Sequence, residues 1–359
     1  MPHSTRVRLH SVATAPDRKV TWLELFFDLV FVAAVAQVAE PLRTHYSFDE
    51  LTRLVPLLLL VWWAWTGRAV FSTRFDSDDA IQRGLTFLEM FAVAVMAANA
   101  HDSLESRSSA GFAAAYSGVR LLLLVHYWRA SGVHEARGLT TTYLVGHGAA
   151  AILWLASSLM SADARLATWL VAFAIDLTTP WLAVGHNVRV PPHPAHLPER
   201  FGLFTLILLG ESVVAVMRGI ESQETWSLRA ATSALTGIAV LFAIWWWYFD
   251  RAHAAGEHHV RSRRDAVRLH VWSYAHFPLY LGIVIAGVGL QRVVALAGRS
   301  PLIDADFVMF AVASVFLLVG MGTIAATTDA RDLATTTDEL ISNRADGSDF
   351  LPSAPQMEM

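Results

Sequence analysis

Two acid-bearing stretches define the chemistry open to this chain. The first is Trp22-Leu23-Glu24-Leu25-Phe26-Phe27-Asp28-Leu29-Val30-Phe31, and the second runs from Glu199-Arg200-Phe201-Gly202 to Leu209-Gly210-Glu211-Ser212. Each sets a carboxylate inside an otherwise apolar run. An ionisable group in hydrocarbon costs on the order of 2.5–3.5 kcal/mol on insertion scales, so it faces a partner or a cavity. Glu24 and Asp28 are i, i+4 neighbours and share a helix face. Glu24 falls at the first turn, where a carboxylate complements the helix N-terminus. Asp28 lies about 6 Å deeper by helical rise.

Further polar groups interrupt other apolar runs. Glu89 and Asp176 sit near the centres of theirs, and Arg120 is a mid-run cation that needs a carboxylate. His126, His147, His270 and His276 are candidates to titrate or hydrogen-bond in the same interior. Asp28, Glu211, Glu89, Asp176, Arg120 and His276 are therefore the candidates for binding substrate or a proton. Glu24, Glu199, Arg200 and His270 are polar members of the motifs and span ends. The plainer alternative is that each acid–Arg pair only locks helices together. A metal site is disfavoured, because no HExxH-type pattern exists among His253, Glu257, His258, His259, His270 and His276. His258-His259, like His186, His193 and His196 among the prolines of 186–198, read as solvated loop residues. The Trp runs at 62–65 and 245–247 read first as interfacial anchors and packing groups, with ligand stacking as the alternative.

The elements that must position these groups are membrane helices. The 359 residues are 54% hydrophobic and 16% charged, with mean hydropathy +0.42. A soluble domain averages about 25% charged residues. A net charge of −4 gives no support to nucleic-acid binding, and the absence of Cys excludes disulfides and thiolate chemistry. No P-loop, dinucleotide-binding glycine pattern or G-x-S-x-G occurs, so ATP-driven transport by this chain alone is not expected. With about 20 residues needed per crossing, the expected class is an all-α polytopic transmembrane bundle of ten spans: 22–42, 51–71, 81–100, 110–130, 139–160, 165–185, 200–219, 229–249, 268–291 and 305–325.

Loops and span ends on one side carry 18 Arg and Lys against 8 on the other, which predicts both termini in the cytoplasm. The basic N-terminus, 1–20, lacks the apolar core of a cleavable signal, so the first span is expected to direct its own insertion. From Asp329 onward seven acids stand against two arginines, and 329–359 reads as an acidic, disordered cytoplasmic tail.

Leu59-Leu60-Val61-Trp62-Trp63-Ala64-Trp65-Thr66-Gly67-Arg68 resembles Phe242-Ala243-Ile244-Trp245-Trp246-Trp247-Tyr248-Phe249-Asp250-Arg251 at an offset of 183 residues, which also aligns Asp28 with Glu211. The pattern suggests a parallel six-plus-four helix repeat, with halves 21–185 and 199–328 joined by the Pro/His linker 186–198. Asp28 and Glu211 would then face one shared interior. Recurrence of Trp-rich span ends as interfacial anchors is the competing explanation.

The two opening motifs, together with Ser273-Tyr274-x-His276-x-Pro278-Leu279-Tyr280-Leu281-Gly282, resemble the hallmark segments of the bacterial low temperature requirement A (LtrA) family, from about Thr21 to Thr323. The resemblance implies a polytopic plasma-membrane protein of a family named for a growth requirement in the cold. It implies no substrate, reaction or catalytic residues. The family's C-terminal part often stays hydrophobic, whereas this chain turns polar after Thr323. Three functions compete: a transporter or permease for a small solute or ion, proton-coupled through the buried carboxylates; an integral-membrane enzyme acting on a lipid-soluble substrate; and a non-catalytic cold or envelope-stress component. The partners this implies are the lipid bilayer and a small-molecule, ion or lipid ligand, with no nucleic acid. No cofactor or metal is called for, and the residues do not set the oligomeric state. One cavity lined by Asp28, Glu89, Arg120, Asp176, Glu211 and His276 would favour the first two functions. Scattering of those groups into separate pairs would favour the third.

Overall fold

The computed structural model describes residues 7–9, 19–76, 79–101, 103–105, 109–223, 227–253 and 259–345. The chain is an all-α bundle: α1 (Trp22–Thr44), α2 (Phe48–Ser72), α3 (Ala80–Ala98), α4 (Ser109–Ala130), α5 (Arg137–Ser157), α6 (Ala162–Leu182), a short α7 (Val184–Asn187), α8 (His196–Glu221), α9 (Leu228–Trp247), α10 (Arg263–Leu296) and α11 (Asp304–Ala345). A two-residue antiparallel pairing of Arg8–Leu9 with Phe75–Asp76 lies beside the turn after α2. Helices suit such an apolar chain because they satisfy their own backbone groups where lipid offers no partners.

Small polar residues fix where the helices begin. Thr21 and Glu24 form a capping box at α1, and Ser262 and Asp265 form one at α10. Ser47, Asp79 and Ser227 cap α2, α3 and α9 through their side-chain oxygens.

The long helices match the ten expected spans, with three differences. Among the described residues, nine helices are both long and apolar enough to cross a membrane, and α6 is not one of them. Its 21 residues include Asp163, Arg165 and Asp176, which lower its hydropathy. The bundle shelters two of these charges: Arg165 donates to Ser157 O and Met160 O and contacts Ser109 Oγ, and Asp176 is buried. Second, α10 has 34 residues against the 24 expected. At 1.5 Å per residue it is ~51 Å long, beyond the ~30 Å hydrocarbon core. Third, α11 continues to Ala345, so the first part of the segment read as disordered is helical. The rest of that segment, 346–359, and His258 lie outside the described residues.

Two helices form the centre. α2 and α10 are the most deeply buried of the candidate spans, and α10 packs chiefly against α8 and α11. Small residues permit this closeness. A Cβ on Gly320 of α11 would stand 2.6 Å from the backbone N of Leu279, and one on Gly219 of α8 would stand 2.6 Å from Gln291 O. Large apolar side chains such as Leu159, Leu170, Leu182 and Leu318 point outward instead. On a membrane bundle that is the surface lipid covers.

Gly320→Ala is therefore expected to force α10 and α11 apart and lower stability by about 1–3 kcal/mol. Gly322→Ala, where no atom lies within 4 Å of the added Cβ, should be near neutral. Unfolding of both variants in detergent by SDS titration checks the pair, and equal behaviour would contradict this packing.

Candidate functional site

The Glu24/Asp28 face of α1 meets Arg200 in the second turn of α8. Arg200 grips Asp28 with two donors: Nε reaches Oδ2 at 3.1 Å and Nη2 reaches Oδ1 at 2.5 Å. The Trp65 indole donates to Asp28 Oδ1 at 2.7 Å from α2. Arg200 Nη1 donates to Glu24 Oε1 at 3.1 Å and to Ser72 Oγ at 3.0 Å. Glu24 Oε2 closes the α1 cap through Thr21 N at 2.9 Å and lies 3.5 Å from His196 Nε2. One guanidinium thus ties together α1, α2 and the start of α8. Glu199, one residue earlier, is half-buried in the first turn of α8.

A second cluster joins α2, α3 and α4. Arg68 Nε is 3.3 Å from Glu89 Oε2, and His126 Nε2 is 3.6 Å from the same oxygen. Gln82 Oε1 accepts from Arg129 Nη1 at 3.2 Å and lies 3.1 Å from His126 Nδ1. Arg129 Nη2 also reaches Asp79 Oδ2 at 2.5 Å.

A third joins α4, α5 and α6. Asp176 Oδ1 receives Arg120 Nη2 and His147 Nδ1, each at 2.7 Å. All three side chains are buried. Arg120 Nε and Nη1 and Asp176 Oδ2 have no hydrogen-bond partner among the described residues.

A cavity of ≈ 50 Å³ opens beside this third cluster, lined by residues of α2, α4, α5, α6, α8 and α10. Its polar lining includes Arg74, Arg120, His147, His270, Thr66 and Ser273, and its walls include Trp63, Tyr127, Tyr143 and Tyr274. A single water needs on the order of 10–15 Å³ of such space, so the cavity admits a few water-sized groups. Its lining spans from Arg74, just past the end of α2, and Pro192 to Arg120, and every lining residue is buried or half-buried. Arg120 lies ten residues before the end of α4, ~15 Å along the helix.

Past Arg120, toward the opposite end of α4, α5 and α6, the interior is filled by aromatic rings. Tyr116 and Trp154 have centroids 4.4 Å apart, Trp154 and Trp169 5.0 Å, and Phe112 and Trp169 5.4 Å. The Tyr116 hydroxyl and the Trp154 indole N–H are buried without hydrogen-bond partners among the described residues.

Of the six substrate- or proton-binding candidates, Arg120 alone lines this cavity. Asp28, Glu89 and Asp176 belong to the three clusters. Glu211 pairs with Arg43 Nη2 at 3.0 Å and Arg218 Nη1 at 3.5 Å, with its side chain 21% exposed. Arg43 is fifteen residues beyond Asp28 on α1, ~22 Å along the helix. Asp28 and Glu211 therefore do not face one shared interior. The other half of the aligned pattern diverges too: Trp62, Trp63 and Trp65 are buried, whereas Trp245 and Trp246 are largely exposed. Trp65 is a hydrogen-bond donor in the core rather than an interfacial anchor.

His276 stands apart, with Nδ1 on Trp272 O at 2.9 Å and Nε2 accepting from Tyr248 Oη at 3.0 Å. His270 of α10 does line the cavity, its Nδ1 on Ala266 O at 2.6 Å. His193 and His196, read as solvated, are buried because 190–197 folds back against the end of α2, where His193 N donates to Thr73 O. Two cations were overlooked as site residues. Arg68 follows the Trp run so closely that it reads as a span end, and Arg74 reads as a loop charge, yet both are buried.

These features define a multi-pass α-helical membrane protein with ion-paired carboxylates in its interior. The chain matches the bacterial low temperature requirement A protein (LtrA) family over residues 19–339 and belongs to it. It is 28% identical over 301 residues to an uncharacterized protein of Rhizobium meliloti (strain 1021), covering 76% of this chain and 68% of that one. No solved structure matches it.

Arg200→Gln leaves Asp28 buried without its cation and is expected to destabilise the fold by about 3–5 kcal/mol. Adding Asp28→Asn should recover part of that loss, because the double variant leaves no stranded charge. SDS titration of the single and double variants measures the recovery. Additive losses would show that the pair does not couple α1 to α8.

Proposed function

We propose that the protein is a plasma-membrane permease that moves a small solute past the α4–α5–α6 wall, from the Arg74/Arg120 cavity through the aromatic layer beyond it. The observation that carries this reading is the cavity itself. Beside it Arg120 Nε and Nη1, Asp176 Oδ2, Tyr116 Oη and Trp154 Nε1 have no hydrogen-bond partner among the described residues, as is true elsewhere of Trp62 Nε1 and Gln291 Oε1. A packed structural core satisfies nearly all such groups. The group near Arg120 borders the cavity and the rings beyond it, where a polar solute would pass. The cavity also takes its lining from helices before and after the 186–198 linker. By the balance of basic residues, the Arg74 end faces the cytoplasm, and Phe112, Tyr116, Trp154 and Trp169 form the closed gate toward the other side.

Proton coupling through Asp28 or Glu211 gains less support, since arginines hold both acids. The geometry suits them to fixing helices. Dispersal of the acids into separate pairs favours a second reading, a non-catalytic membrane component, in which the same charges serve stability alone. The enzyme reading calls for a pocket open sideways to lipid, and a cavity lined by buried and half-buried residues fits that less well.

Purified protein reconstituted in liposomes separates the readings. A panel of labelled small solutes should include one that enters saturably. Trp154→Ala, which opens the aromatic layer, should add an unsaturable leak of that solute. A panel in which nothing moves, with the variant as tight as the parent, would favour the non-catalytic component.

A further inference from the structure

Arg74 is a buried cation to which the described residues bring no carboxylate. Its Nη2 donates to Asn187 Oδ1 at 2.9 Å and its Nε to Val190 O at 3.2 Å, both neutral acceptors. Its Nη1 has no hydrogen-bond partner among the described residues. Only 2% of Arg74 is exposed. A buried guanidinium without a counter-ion is disfavoured. Arg165 shares that condition but has acceptors on Nε, Nη1 and Nη2, whereas Arg74 leaves Nη1 open and lines the cavity.

The same cavity gathers more unmatched donors. Arg120 lines it, with Nη2 on Asp176 and with Nε and Nη1 unpartnered. A Cβ on Gly67, another lining residue, would stand 3.2 Å from Arg120 Nη1, which sets that donor against the cavity wall. Trp63 also lines the cavity, and its indole N–H is unpartnered. Arg120 and Asp176 neutralise each other, so Arg74 leaves one surplus positive charge. Val70, Leu197 and Leu269 complete an apolar side.

We infer that this cavity binds a short-chain monocarboxylate, its carboxylate received by Arg74 and its apolar end against lining residues such as Val70, Leu197 and Leu269. One negative charge matches the one unbalanced positive charge. A planar carboxylate also offers the paired acceptors that guanidinium groups engage best. Chloride lacks that geometry, and inorganic phosphate brings more charge and no apolar end. The assignment deepens the permease reading by naming the class of its solute, but binding itself does not depend on transport.

The test uses the purified full chain in detergent, in a buffer free of carboxylates and phosphate, with thermal unfolding and tryptophan fluorescence as readouts. Acetate and propionate should stabilise the protein saturably, and the uncharged analogue propionamide should not. Arg74→Gln should weaken propionate binding about tenfold or more. Without ligand, that variant should melt no lower than the parent, since it removes a stranded charge; a purely structural arginine would give a clear loss. Arg74→Lys keeps the positive charge but loses the planar two-donor fork. Propionate binding that is weakened yet retained there decides the matter should Arg74→Gln fail to fold, and binding equal to the parent's counts against the site. The inference is overturned if neither carboxylate binds, if propionamide, chloride or phosphate binds as well as propionate, or if both variants bind propionate as the parent does. Liposome flux separates the two readings. Carboxylate binding without flux removes the permease and leaves this site, whereas saturable flux of a neutral or cationic solute without carboxylate binding does the reverse.

Discussion

A charge sealed inside an apolar bundle must be answered by another charge, and the arrangement of this protein follows from that requirement. Arg200 answers Asp28 and Glu24 together, and in doing so fixes α1, α2 and α8 in depth and rotation. Hydrophobic matching alone would not do this, because helices in lipid have apolar surface on every side and slide or rotate past one another at little cost. A two-donor grip tolerates neither movement. The Trp65 N–H adds direction, holding the carboxylate from a third helix.

The same rule sets α3 against α2 through Glu89 and Arg68, and α6 against α4 through Asp176 and Arg120. It also explains how α6 sits in the bundle despite its modest hydropathy. Asp176 and Arg165 are held inside the protein by specific partners and Asp163 lies exposed in the first turn, so the outer face along the helix presents residues such as Leu170 and Leu182. Glu211 shows the less demanding version of the rule. Partly exposed and offered two arginines, it needs neither burial nor a two-donor grip.

Much of this was legible in the sequence. The all-α bundle, the carboxylate at the start of α1 and the need of Arg120 for a carboxylate follow from residue type and spacing, because insertion and helix starts are local matters, whereas α6, one of the ten expected spans, falls short in hydropathy. Which carboxylate Arg120 meets is not local: Asp176 is 56 residues away, and Glu89 or Asp28 served the sequence argument equally well. The 183-residue pattern misled for a related reason. Aromatic clusters followed by Arg recur wherever a span ends, and in a membrane both lipid-facing and core-facing surfaces are apolar. Trp62–Trp65 and Trp245–Trp247 therefore look alike in sequence, although one run is buried and most of the other faces outward. Arg74 was hidden differently. It follows the last turn of α2, where an arginine ordinarily reaches water, and only the return of 187–193 across that helix end buries it.

That burial gives Arg74 its meaning. Arg68, Arg120 and Arg200 each stand against an acid, whereas Arg165, like Arg74, is held by neutral oxygens; Arg74 differs from Arg165 in lining the cavity. Asn187 and Val190 hold the Arg74 guanidinium in a fixed orientation without neutralising it. A group oriented yet left charged is costly to the resting fold, and such costs concentrate where a ligand is to be met. Were Arg74 a helix staple, an aspartate in place of Asn187 would serve better, completing the pair as Asp176 does for Arg120. The neutral amide at that position keeps the positive charge available to whatever enters the cavity.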